Sequence, residues 1–209
     1  MIDHYLPQLL LAWSIQWMGV LSPGPSVMLI LSVATSRGRA PSLVTAFGIA
    51  CGTIILATAT VLGLASIFAR FAEMMTAIRL IGAVYLLWLA WKAFRNAALD
   101  KELMLKRSAS GGAWRSALNG FTLQISNPKA IFFWLAVASV GGVGDAPLPV
   151  VLLFIAGAFV NSFAGHGGYA LLLSSGPVRR LYLRFRRWIE GALGCFFLYA
   201  GYLLATARG

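Results

Sequence analysis

The densest chemistry in this chain lies in Ser126-Asn127-Pro128-Lys129, inside a run from Ser116 to Gly144 whose sole charge is Lys129. A run of that length can cross a bilayer. Lysine at bilayer depth is expensive and marks a solute path more often than a lipid face. Proline removes a backbone donor and clashes with the preceding turn, so a helix here should open at Pro128. Asn127 brings amide donors and an acceptor to the opening. An interrupted helix beside a cation is suited to holding a carboxylate, and Lys129 is also a candidate proton carrier. The competing reading is snorkelling to the interface, which weakens because Lys129 stands about half-way along the run.

A second interruption is expected at Ser22-Pro23-Gly24-Pro25, where two prolines flank a glycine. The half-helix starting after Pro25 would expose unpaired N–H groups and about half a positive charge, which suit a carboxylate. A packing kink is the plainer alternative. Gln16 and Gln124 each fall a few residues before a break and are placed to line a cavity. Asn161, Ser162 and His166 lie in a later apolar run, with Ser162 and His166 one helical turn apart. A serine–histidine pair raises the alternative of an intramembrane hydrolase, yet no glycine-flanked nucleophile or oxyanion element accompanies it. Interhelical hydrogen bonds are the simpler use, and His166 is a second candidate for moving protons. Glu190 reads as a partner for Arg186 at the start of the last helix. Trp13, Trp17, Trp88, Trp134 and Tyr199 read as packing or lipid-interface residues. No group of His, Cys and carboxylate has metal-ligand spacing, so neither metal nor cofactor is expected.

These residues need an apolar scaffold, and the composition supplies one. The 209 residues are 59% hydrophobic and 11% charged, with a mean hydropathy of +0.80, against about 25% charged in a soluble domain. The chain is expected to be an all-α integral membrane protein with membrane lipid around it. A net charge of +11 would suggest nucleic acid in a soluble protein; here it reads as basic cytoplasmic loops, with no nucleic-acid partner. Cys51 and Cys195 lie in apolar runs without a CxxC pattern and read as packing residues. Met1-Ile2-Asp3-His4 has no basic n-region, so no cleaved signal peptide is expected.

Six spans account for the charge pattern, with the first and fourth helices discontinuous. Tyr5 to Ser36 is the first, broken at Pro23, and Arg37 and Arg39 end it. The second runs from about Ser42 to Ala69, with small residues Ala46, Ala50, Gly52, Ala57 and Gly63 suited to close packing. The third reaches Trp91, and a basic loop is expected over 96–112. The fourth is the run around Lys129, ended by a turn at Gly141-Gly142-Val143-Gly144-Asp145. The fifth covers Pro147 to Ser175, an arginine-rich connection follows, and the sixth covers Trp188 to Thr206. Of the 17 Lys and Arg, thirteen fall on one side of such a bundle: Arg37, Arg39, Lys92, Arg95, Lys101, Lys106, Arg107, Arg115, Arg179, Arg180, Arg184, Arg186 and Arg187. The positive-inside rule then puts both termini outside the cytoplasm.

The single membrane domain divides into a three-span half over 1–95, the connection 96–112 and a second half over 113–209. Arg79-Leu80-Ile81-Gly82-Ala83 and Arg187-Trp188-Ile189-Glu190-Gly191-Ala192 each open the last span of a half. Pro23 to Gly82 is 59 residues and Pro128 to Gly191 is 63. Three is odd, so the halves are inverted. Inverted repeats with one discontinuous helix each point to a secondary transporter with a midplane site. A structural membrane subunit without transport is the remaining alternative, and the small-residue faces suit a homodimer.

Gly19-x-x-x-Pro23-Gly24-Pro25, Gly38-Arg39, Asn127-Pro128-Lys129 and the Gly-Ala-x-Tyr-Leu stretch from Gly82 to Leu86 resemble the LysE/RhtB amino-acid exporters over nearly the whole chain. The resemblance implies a six-span inner-membrane translocator, not an enzyme, exporting amino acids or similar metabolites by proton antiport. Its substrate site would comprise Ser22, Pro23, Gly24, Pro25, Gln124, Asn127, Pro128, Lys129 and Asn161, with Lys129 and His166 coupling to protons. The chain departs from the family where an acidic residue or histidine often follows the glycine matching Gly52: Thr53 and Leu56 stand there, which suits cationic substrates poorly. Ala40-Pro41 likewise replaces a common glycine.

Overall fold

A computed structural model describes residues 2–22, 24–68, 72–98, 111–140 and 146–206. Pro23, residues 99–110 of the basic connection and the Gly141–Asp145 turn lie outside them. Among the described residues the chain forms eight α-helices: α1 (Ile2–Leu21), α2 (Pro25–Arg37), α3 (Arg39–Phe68), α4 (Ala72–Ala98), α5 (Ala113–Ser126), α6 (Pro128–Val140), α7 (Leu148–Leu173) and α8 (Gly176–Thr206).

Both breaks have local causes. α1 closes with the Ser22 N–H on the Met18 carbonyl at 3.0 Å, and Gly24 is fully extended before Pro25 takes the first helical position of α2. The two axes bend by 51°. At the second break the residue before proline is pushed out of the helical region, and Asn127 sits at φ −76°, ψ 111°. Its carboxamide oxygen accepts the Lys129 N–H at 3.1 Å, which caps α6 in the usual Asn manner. α2 and α3 are joined through Gly38 alone, at φ 86°, a left-handed conformation that glycine adopts without strain.

Packing follows the small residues. α3 lies against α5 and α7, and α4 runs along α8. A Cβ at Gly48 would strike the Ala117 carbonyl, and one at Gly120 the Thr45 carbonyl, so α3 and α5 meet backbone to backbone. Ala46, Ala50 and Ala57 of α3 are fully buried, Ala46 in a cluster with Ile30, Ile49 and Ala170 and Ala57 in the main core. The main core joins Leu9 and Ala12 of α1, Leu86 and Leu89 of α4, Phe133 and Trp134 of α6, Phe154 of α7 and Phe197 of α8. Leu62, Val84, Trp88, Val160, Leu172 and Tyr199 stand exposed on the outside, the pattern of a surface made for lipid rather than water. By length and composition, Arg39–Gly63 and Leu148–Leu173 can cross a membrane, and the bent α1–α2 pair makes a third span if counted as one.

Two boundaries differ from the sequence expectation. Asn96 to Ala98 continue α4 rather than opening a loop. The arginine-rich stretch before Trp188 is the first half of α8, not a connection. Val178, Leu181, Tyr182 and Phe185 recur at helical spacing among the arginines, so the stretch is an amphipathic helix in its own right. Glu190 is therefore mid-helix, not at a helix start. Of the two free cysteines, Cys51 is half-buried and Cys195 is exposed, so Cys195 is not a packing residue.

Candidate functional site

The two breaks meet. The Lys129 ammonium, from the first turn of α6, donates to the Ser22 carbonyl at 2.7 Å and the Gly19 carbonyl at 3.3 Å. These are orphan carbonyls at the C-terminal end of α1, which no intrahelical N–H can reach. Hydrogen bonds to a charged group contribute about 1.5–3 kcal/mol each, against roughly 2.5–3.5 kcal/mol to place a lysine at mid-bilayer depth. Two such bonds are enough to hold the cation in the protein interior. Glycine at position 24 permits the approach: a Cβ there would stand 3.0 Å from Lys129 Cδ and 3.1 Å from Nζ.

From the first turn of α6 and beside the Gly24 cap of α2, Lys129 thus also grips the C-terminal end of α1. The α2 N-terminus has no side-chain cap. Its first internal bond is Met28 N–H to Gly24 carbonyl at 2.9 Å, which leaves the N–H groups of Ser26 and Val27 ahead of it.

A buried polar network runs from this junction across four helices. Asn127 Nδ2 donates to Ser26 Oγ at 3.5 Å, and Ser26 Oγ donates to Gln124 Oε1 at 3.2 Å. Gln124 Nε2 donates to Thr53 Oγ1 at 3.1 Å. Thr53 donates to the Ile49 carbonyl at 3.2 Å and contacts Ser162 Oγ at 3.0 Å. With its own proton spent on a carbonyl, Thr53 accepts from both Gln124 and Ser162, the full capacity of a hydroxyl. Gln16 Nε2 donates to the Ala158 carbonyl at 2.7 Å, and Asn161 Nδ2 donates to Gln16 Oε1 at 3.3 Å.

His166 Nδ1 lies 2.9 Å from the Ser162 carbonyl and 3.3 Å from Ser162 Oγ. A carbonyl only accepts, so Nδ1 carries the proton and cannot act as a base toward the Ser162 hydroxyl. That geometry removes the hydrolase reading, since a nucleophile needs a basic nitrogen within reach.

These groups surround a cavity of about 50 Å³, room for one or two waters. Ser22, Gly24, Pro25, Gln124, Asn127, Lys129 and His166 reach its wall, together with Gln16 and Ser26. Asn161 and Pro128 are not part of that wall, although Asn161 reaches Gln16. Pro23 lies outside the described residues. Sequence reasoning passed over Ser26 and Thr53 as site residues. Ser26 in the first turn after a break had a detectable signal, and Thr53 had one in standing where the resembled family often carries an acidic residue or histidine.

The arrangement of an uncapped half-helix, a caged lysine and an amide–hydroxyl network belongs to a membrane protein that handles a small polar solute, and comparison gives the family. Residues 17–208 match the LysE type translocator family, and the chain belongs to it: an integral membrane translocator and not an enzyme. It is 32% identical over 200 residues to the threonine efflux protein of Escherichia coli (strain K12), covering 90% of this chain and 93% of that protein. It is 32% identical over 137 residues to the cysteine/O-acetylserine efflux protein of Salmonella paratyphi A, covering 64% and 65%. It is also 31% identical over 121 residues to the leucine efflux protein of Enterobacter sp. (strain 638), covering 56% and 55%. No solved structure matches the chain.

Proposed function

We propose that this protein exports small neutral amino acids, threonine among them, across the inner membrane by proton antiport and alternating access. The observation that carries the reading is the Lys129 ammonium, held on the carbonyls of Gly19 and Ser22 where the two broken helices cross. A substrate carboxylate competes for that ammonium with two neutral carbonyls, and a charged acceptor makes the stronger bond. Transfer of Lys129 from α1 to the substrate releases the α1 end and lets the cavity open, because about 50 Å³ is too small for an amino acid. The amides of Asn127 and Gln124 and the hydroxyl of Ser26, all on the wall of the small cavity, fit a polar, uncharged side chain. The same groups offer no anion to a cationic one. Ser22, Gly24, Pro25 and Asn161, with Pro23 and Pro128 shaping the breaks, complete the substrate site. His166 and Lys129 return protons, and the halves 1–95 and 113–209 rock about the site.

The packing supports two inverted three-span repeats. α3 packs on α7 and α4 on α8, each the counterpart of the other in such a repeat, and α1–α2 meets α5–α6 at the breaks. Thirteen of the 17 basic residues on one side support termini outside the cytoplasm. Replacing Lys129 with alanine is expected to lower threonine export at least a hundredfold in inside-out membrane vesicles, with protein amount in the membrane unchanged. Wild-type rates from that variant would overturn the site. Accumulation that persists after a protonophore collapses the gradient would overturn the antiport.

A further inference from the structure

Beyond Lys129, on the side away from the small cavity, lies a second cavity of about 270 Å³. Its wall comes from different elements: Lys92 and Asn96 at the C-terminal end of α4, and Tyr182, Arg186 and Glu190 on α8. Ser22, Gly24, Pro25 and Lys129 line both cavities, so the lysine and its glycine form the partition between them. The larger space approaches the lower end of small-molecule sites, about 300 Å³. An amino acid fits there and not in the inner cavity.

Glu190 gives this vestibule a chemistry. It is 2% exposed, and a buried carboxylate is costly unless fully partnered. Asn96 Nδ2 donates to its Oε1 at 3.3 Å, and Arg186 Nε stands 3.9 Å from the same oxygen. Among the described residues Oε2 takes neither contact. Among the described residues of that wall Glu190 is the sole carboxylate, facing the cations Lys92, Lys129 and Arg186. A zwitterion can use both signs, its ammonium finding its one anionic partner in Glu190, whereas a simple carboxylate uses only the cations.

We propose that the vestibule is a recognition site for zwitterionic amino acids, in which Glu190 accepts hydrogen bonds from the substrate ammonium while the carboxylate reaches Lys129 below. The proposal rests on the export reading above and adds a first selection step before the lysine partition opens. The test uses inside-out vesicles, labelled threonine, and unlabelled 3-hydroxybutanoate, which is threonine without its ammonium group. Glu190→Gln should raise the KM for threonine about tenfold or more while leaving inhibition by 3-hydroxybutanoate unchanged. Glu190→Asp keeps the charge beside Arg186 but retracts it by one methylene, and should give a smaller rise of the same kind. Equal effects on threonine and 3-hydroxybutanoate, or no effect from either variant, would overturn the vestibule while export and its loss in Lys129→Ala stand. Wild-type vesicles that accumulate no threonine would overturn the export reading and this proposal with it.

Discussion

Thr53 shows how one small side chain can organise a site. Its hydroxyl takes two hydrogen bonds and gives one, tying α3 to α5 through Gln124 and to α7 through Ser162. Valine has the same shape without the oxygen, so Thr53→Val would take from the buried Gln124 Nε2 its Thr53 acceptor, at about 1–3 kcal/mol. A rise of roughly tenfold in the KM for threonine export is expected, since about 1.4 kcal/mol is one decade. Wild-type KM in vesicles would show that the network does not shape the cavity. At this scale the sequence was half legible. Lys129 and Asn127 stand out because charge and amide are rare in an apolar run, and rarity is visible in one dimension. The partner that Lys129 chooses was not visible: backbone carbonyls carry no letter in a sequence, and those at Gly19 and Ser22 become acceptors only because α1 ends there.

Between α3 and α5 the decisive feature is the absence of side chains. Gly120→Ala pushes a methyl into the Thr45 carbonyl, and overpacking of this kind costs about 1–3 kcal/mol. A lower Tm in detergent is expected for that variant. Gly168→Ala on α7 meets nothing within 4 Å and should hold or raise Tm, since alanine is favoured over glycine in a helix by roughly 1 kcal/mol. Equal melting of the two variants would refute the backbone-to-backbone seam. Both helix breaks were readable from Pro-Gly-Pro and Asn-Pro because proline acts on its own backbone. The seam was only partly readable. Gly52 belongs to it, but Ala46 turns toward Ile30 and Ala170, and Gly48 and Gly120 make the closest approaches; which face a small residue turns to its neighbour depends on helix rotation. The length of α8 is hidden for a related reason: its arginines look like a loop until the helical spacing of Leu181, Tyr182 and Phe185 is noticed, of which Tyr182 packs on Val27, Leu31 and Leu173.

For the whole molecule the arrangement of charge is the main constraint. Arg37 donates to Ser116 Oγ at 2.8 Å and also to the Gly111 carbonyl, so the α2–α3 corner is fastened to the start of α5 on the basic side. A cysteine placed at Gly112 should react with a membrane-impermeant maleimide only from the cytoplasmic face, and one placed at Tyr5 only from outside. The reverse labelling would invert the proposed orientation.

The wall shared by the two cavities carries a further implication. The group proposed to grip the cargo is then also the stopper, and among the described residues it closes the way for ions between the two cavities of an idle carrier. Cells making this protein in excess should therefore keep their membrane potential, and should lose it when Gly24 and Lys129 are both replaced by residues too small and neutral to plug the gap.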